Sequence, residues 1–274
     1  VKKTRKMTQA MKMVAAAKFK RFSNRAIASR LIISELKSLL NHIYSEENGQ
    51  FESDLMKTYK SNKECLVYIT GDRGLCGAFN TNVIKYVNNY LKSKNEDVDA
   101  IIFGRKGIQA SKNFSNINLV STYEGFQEKL SDKIVSDFID ELIELYVSGK
   151  YSKITLVYSE FKTAISSELI HKQLLPIDSN TFQGDKVIEN IIIEPDVDSV
   201  IDETCSNYLK KSLSNAFLES AAAEQGARMA SMDAATDNAA EMIGSLTLLY
   251  NRGRQAQITT ELSEIVAGAE ALVN

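Results

Sequence analysis

Apolar residues near the end of the chain recur in steps of three and four: Met229, Met232, Ala239, Ile243, Leu246 and Tyr250. That spacing lays one stripe along an α-helix. No proline interrupts the run from Asp198 to Asn274, and a helix of about 70 residues rises on the order of 100 Å, far more than one compact domain covers. The opposite end reads the same way. Val1 to Glu47 lacks both glycine and proline, and its stripe runs through Met7, Met11 and Val14 and resumes at Ile32, Leu36, Leu39 and Ile43. Neither run keeps clean heptads, yet two such helices flanking a globular insert are expected to pair as an antiparallel coiled coil.

Between them the pattern changes. After a polar stretch from 48 to 64, Cys65-Leu-Val-Tyr-Ile-Thr70 is a short continuous apolar run, as in a strand buried on both faces. A glycine turn, Gly71-Asp-Arg-Gly-Leu-Cys-Gly77, follows it, and then a helical spacing through Val83, Ile84, Val87 and Leu91 with Asn80 or Thr81 as cap. Further strands are predicted at Ala100–Phe103, Ile117–Thr122 and Ile154–Tyr158. A helix from a Ser131 cap runs through Ile134, Phe138, Ile139, Leu142 and Tyr146 and closes at Gly149. Strand and helix in alternation predict a Rossmann-like α/β domain on a mainly parallel sheet. A last strand, Ile191–Ile193, is expected at an edge, with Asp196 or Asp198 capping the final helix. The expected organisation is therefore residues 1–48 as the first coiled-coil helix, 49–197 as the α/β domain and 198–274 as the second helix.

Composition narrows this reading in only a few respects. At 274 residues and 44% hydrophobic content the chain can bury a substantial core. The net charge of -2 conceals segregation. Residues 1–34 carry ten Lys or Arg and no acid, whereas from Glu219 onward Arg228, Arg252 and Arg254 are the only bases among eight carboxylates. The basic helix can lie against the acidic one, or meet an acidic protein, or meet nucleic acid or an anionic membrane. Aromatics among these bases are limited to Phe19 and Phe22, which favours protein over nucleic acid. The three cysteines, Cys65, Cys76 and Cys205, have no metal-ligand spacing and read as reduced thiols. No stretch reaches the ~20 apolar residues of a membrane span. The opening VKKTRKM begins in mid-helix, which points to a longer native N-terminus.

Catalytic chemistry is thin. Gly71, Gly74 and Gly77 give G-x-x-G-x-x-G, neither a dinucleotide fingerprint nor a Walker loop. Instead, the turn is expected to present Asp72, Arg73 and Leu75 at the carboxyl edge of the sheet. Cys76 lies near Arg73, which could lower its pKa, but no histidine is close in sequence. His42 and His171 read as surface or packing residues, and Thr259, Thr260, Glu261 and Glu264 as a docking face rather than an acid–base pair.

Three separated segments carry a resemblance. Thr8-Gln-Ala-Met-Lys-Met-Val-Ala-Ala-Ala-Lys18 resembles the N-terminal helix motif of the γ subunits of F-type ATP synthases, and Thr70–Asn80 resembles their glycine turn, with Ala78 where glycine is frequent. Ala234–Asn238, Tyr250–Gln255, Ile258–Ile265 and Gly268-Ala269 are similar to their C-terminal signature. The resemblance implies a rotating central shaft inside a ring of three α and three β subunits. It also implies an insert bound to the ε subunit (δ in mitochondria) and standing on the membrane c-ring. Such a chain binds no cofactor, the Mg-ATP and Mg-ADP being held by the α and β subunits, and has neither nucleic-acid partner nor membrane span. It would be peripheral to the cytoplasmic face of a bacterial plasma membrane. Rotor–stator contacts would fall on Met11, Arg73, Cys76, Arg228, Arg254, Gln255, Thr259 and Glu261. Met11 would lie near the β lever loop, where an added positive charge wastes coupling. The residues by themselves leave two other readings: a coiled-coil adaptor for nucleic acid or membrane, and a nucleotide-binding enzyme of the insert.

Overall fold

A computed structural model describes residues 1–46, 53–125, 132–178, 193–194 and 196–273. Both ends are single helices, α1 (Lys2–Glu46) and α5 (Val197–Val273), the latter 77 residues long. They run antiparallel, since Thr8 meets Thr236, Lys12 meets Asp233 and Arg30 meets Glu219. Asp196 supplies the start of α5: its carboxylate accepts from the Ser199 N–H at 2.8 Å and from the Ser199 hydroxyl.

Burial exposes a heptad that the apolar residues alone conceal. Along α1, Thr8, Lys12, Ala15, Phe19, Phe22, Ala26, Ser29, Ile33, Leu36, Leu40 and Ile43 are buried or half-buried, in alternating steps of four and three. Along α5 the same rhythm runs through Tyr208, Ser212, Asn215, Glu219, Ala222, Gly226, Met229, Asp233, Thr236, Ala240 and Ile243. The seam is a heptad whose slots hold many small and polar residues. The stripes expected from hydrophobicity meet this seam at Leu36, Ile43, Met229 and Ile243, whereas Met7, Val14, Ile32, Leu246 and Tyr250 are exposed.

The insert contains β1 (Glu64–Ile69), α2 (Phe79–Lys92), β2 (Val98–Phe103), α3 (Arg105–Ser111), β3 (Ile117–Tyr123), α4 (Asp132–Val147), β4 (Lys153–Phe161) and β5 (Ser167–Leu175). The sheet order is β3-β2-β1-β4-β5. The β1–β2, β2–β3 and β1–β4 pairs are parallel and β4–β5 is antiparallel. The edge strand β5 has no counterpart in the sequence reading, because SELIHKQLL mixes charge into its alternation and the sheet buries it only in part. The strand expected at 191–193 and the cap at Ser131 lie largely or wholly outside the described residues. Gly149 does end α4, in the left-handed region at φ 76°.

Alternation along the strands sorts the core onto two faces. Cys65, Val67, Ile69, Ile101 and Phe103 face α1, α4 and α5, where they meet Leu40, Ile43, Phe138, Leu213 and Phe217. Leu66, Tyr68, Ala100 and Ile102 face α2 and α3 with Val83, Val87 and Leu91. Each large apolar side chain buried there contributes about 1.5–3 kcal/mol. The lower parts of the two long helices are thus one layer of the α/β domain, and the upper parts leave it as a two-helix projection. Past Ile243, α5 runs on with nearly every described side chain exposed.

Candidate functional site

The glycine turn lies where α5 crosses the carboxyl end of β1. Thr70 anchors it, its Oγ1 donating to Phe103 O at 3.0 Å and accepting from Gly107 N at 2.9 Å. Asn80 does not cap α2, which starts at Phe79 behind Ala78 without a side-chain cap. Its amide closes the turn from inside, Oδ1 accepting from Gly71 N at 2.8 Å and Nδ2 donating to Arg73 O at 3.2 Å. Asp72 also turns inward, accepting from the backbone N–H groups of Arg105 and Gly125. Only Arg73 and Leu75 of the expected trio are fully exposed.

The buried Glu224 side chain fills the space beside Gly71. A Cβ there would stand 2.6 Å from Glu224 Oε2 of α5. The Glu224 carboxylate accepts from Arg228 Nη2 at 2.5 Å, and the same guanidinium nitrogen donates to Gly74 O at 3.3 Å. The ion-paired Glu224 side chain therefore occupies space at the crevice where an open α/β sheet would receive a phosphate.

Between α1, the turn and α5 lies a cavity of about 420 Å³, lined among others by Met11, Val14, Lys18, Arg73, Leu75 and Arg228. Met11, Arg73 and Arg228, far apart in sequence, are brought together here. Cys76 is not available at that surface: it is 2% exposed and packs with Phe22, Phe79 and Phe161. Burial, then the Glu224 carboxylate, pushes its thiol pKa up, with Arg228 only partly opposing. The expectation that Arg73 lowers its pKa is corrected by that inward placement. Burial also pushes Cys65 and Cys205 up to about 12. Titration of the folded chain with an aromatic disulfide at mildly alkaline pH is expected to find no fast thiol, and all three after unfolding; a fast thiol in the folded chain would contradict this burial.

Arg254, Gln255, Thr259 and Glu261 form a second, separate set on the exposed part of α5. Arg254 lies roughly 39 Å along the helix from Arg228. Thr259 Oγ1 bonds back to Gln255 O at 2.9 Å, and Glu261 accepts from Gln257 at 3.2 Å. Ile265, Val266, Ala267 and Ala269 continue the exposed surface; the side chains beyond are outside the described residues. His171, on β5, is held edge-on between Tyr86 and Tyr90, and His42 is buried, so both histidines are packing residues. Sequence reasoning gave Asn80 the wrong role and missed those of Glu224, Arg30, Glu219 and Gly226. An Asn nine residues after a strand-end glycine is a usable signal for a stapled turn; the others have none without the partner helix.

Comparison with known proteins agrees with this geometry. A family model described as ATP synthase matches residues 1–272. The ATP synthase gamma chain of Geobacter metallireducens is 38% identical over 275 residues, covering 99% of this chain and 95% of that protein. The chain belongs to the ATP synthase γ-chain family. Another relative of the family, from Halothermothrix orenii, is 39% identical over 279 residues, with 99% and 95% covered. A chain from the central stalk and c-ring structure of Tetrahymena thermophila mitochondrial ATP synthase superimposes with a TM-score of 0.61 at 28% identity, covering 84% of this chain and 99% of that one. One from the Euglena gracilis mitochondrial enzyme, at 18% identity and TM-score 0.57 over 96% of this chain and 95% of that one, shares the γ-chain fold. No described helix of this γ-family chain is long and apolar enough to cross a membrane.

Proposed function

We propose that this chain turns as the central shaft of an F-type ATP synthase and carries torque between a membrane c-ring and the catalytic β subunits. The observation that supports it most directly is the seam of the two chain ends: a paired shaft rooted in an α/β base, with one helix extended and exposed beyond its partner. Catalysis in this reading belongs to the α3β3 ring, which holds Mg-ATP and Mg-ADP, and the chain itself is non-catalytic. The α/β base meets the ε subunit and the c-ring, at the cytoplasmic face of a bacterial plasma membrane.

A shaft can bias a β subunit only by contacts that differ from one face to another, because equal contacts shift no equilibrium. Two surfaces supply that difference. The cavity wall of Met11, Arg73 and Arg228 marks the foot, and Arg254, Gln255, Thr259 and Glu261 mark the upper shaft. Lys12 and Arg30 find acids on α5, but Lys2, Lys3, Arg5, Lys6, Lys18 and Lys20 make no ion pair among the described residues. They leave cations spread around α1 for acidic loops of the ring, acting over a Debye length of about 8 to 10 Å without one docked geometry.

The test is assembly and rotation. With α and β subunits co-expressed, the chain is expected to co-purify as a complex. A bead attached through Lys112→Cys, at an exposed position beside buried native thiols, is expected to turn in one direction on ATP. A chain that fails to join the ring, or a ring that hydrolyses ATP with a stationary bead, would refute the reading.

A further inference from the structure

Arg30 touches three elements at once. From α1 its Nε donates to Glu219 Oε1 on α5 at 2.7 Å, and its Nη2 donates to Phe161 O at the end of β4 at 3.4 Å. The same Nη2 lies 3.5 Å from Glu160 Oε1, and the guanidinium carbon stands 5.2 Å from the Phe161 ring centroid. Glu219 is fully buried, and its Oε1 also accepts from Asn215 Nδ2 at 3.2 Å.

The neighbourhood is built for a close fit. The Phe161 ring meets Phe19 of α1 edge-on at 5.9 Å. In the hairpin after β4, Ala164 O presses on α5 so closely that a Cβ at Gly226 would stand 2.5 Å from it. The glycine turn holds α5 through other residues, Glu224 and Arg228. Beyond the shared apolar layer, two polar grips therefore hold the shaft on its base, and the second is centred on one guanidinium.

Stability alone does not account for a charge in this place. A well-packed apolar pair of similar volume often serves as well as a buried ion pair, whereas polar groups in a coiled-coil seam fix register. We propose that Arg30 is a positioning residue that sets the rotational angle between the paired helices and the α/β domain, so that torque crosses the joint without slip. Its planar fork suits that task, since a point charge on a flexible stem cannot hold a carboxylate, a carbonyl and a ring face together. The inference rests on the rotor reading for its purpose, but the joint itself can be measured without the ring.

Two variants separate fork from charge. Arg30→Lys keeps a cation for Glu219 and loses the bridge to β4. Glu219→Gln keeps the shape and removes the charge. In the isolated full-length chain, spin labels at Glu241→Cys and Lys112→Cys report the shaft-to-base distance, and its distribution is expected to widen in either variant as one of the two polar grips loosens. In the assembled complex the same variants should widen the angular spread of the bead within each catalytic dwell while unloaded ATP turnover stays unchanged. A width unchanged in both variants overturns the positioning role. A widened distance in a chain whose unsubstituted complex never rotates keeps the joint and removes the rotor.

Discussion

Replacing Gly104 by alanine is expected to destabilise the α/β domain by on the order of 3 kcal/mol. Gly104 stands between β2 and α3 with φ at 98°, a conformation L side chains rarely adopt, and an added Cβ would overlap the Thr70 carbonyl. Its own N–H donates to Tyr123 O at 2.9 Å, so the residue ties β3 to β2 and cannot move away freely. Relief would have to come from Thr70, which already bonds Phe103 and Gly107. Denaturant unfolding followed by circular dichroism measures the loss. A midpoint within error of the unsubstituted chain would mean that the turn relaxes more cheaply than this packing allows.

The second large effect is on activity. Arg254→Ala combined with Gln255→Ala is expected to lower ATP turnover of the assembled complex by at least about tenfold, since two polar contacts at ~1 kcal/mol each exceed the 1.4 kcal/mol of one decade. The unfolding midpoint should not change, because both residues lie on the exposed run of α5 with no tertiary partner among the described residues. That combination separates a contact role from a folding role. Bead tracking should place the added waiting time at one angle of the cycle. Turnover equal to that of the unsubstituted complex would remove Arg254 and Gln255 from the proposed interface.

Much of the architecture was legible because it rests on local signals. Proline-free runs at both ends, one following Asp196, specify long helices whatever else surrounds them. Apolar runs at 65–70, 100–103 and 154–158 specify buried strands, and the intervening helical spacing makes them parallel. The edge strand β5 was hidden, since a half-covered strand keeps charges such as Glu168 and Lys172 that break its alternation. The glycine turn was visible, but not its surroundings: Gly71 faces the side chain of Glu224, a residue 153 positions later that no local pattern places there.

The coiled-coil seam shows the same division more sharply. Each helix was predicted from its own composition, and its stripe meets the seam at Leu36, Ile43, Met229 and Ile243, yet it also takes in Met7, Val14, Ile32, Leu246 and Tyr250, which stay in solvent. Hydrophobicity reports the cost of leaving a group in water, and beside its aromatic and aliphatic residues this seam also holds alanine, glycine, threonine and charge pairs whose burial makes sense only opposite their partners. Lys12 is a seam residue because Asp233 faces it, and Glu219 because Arg30 does. The sequence alone determined that two long helices would flank an α/β sheet, because propensity and periodicity act within a few residues. Which faces meet, where α5 is gripped and which cationic groups remain for a partner were decided only by the tertiary structure, because desolvation, close approach and ion pairing depend on atoms brought together from distant parts of the chain.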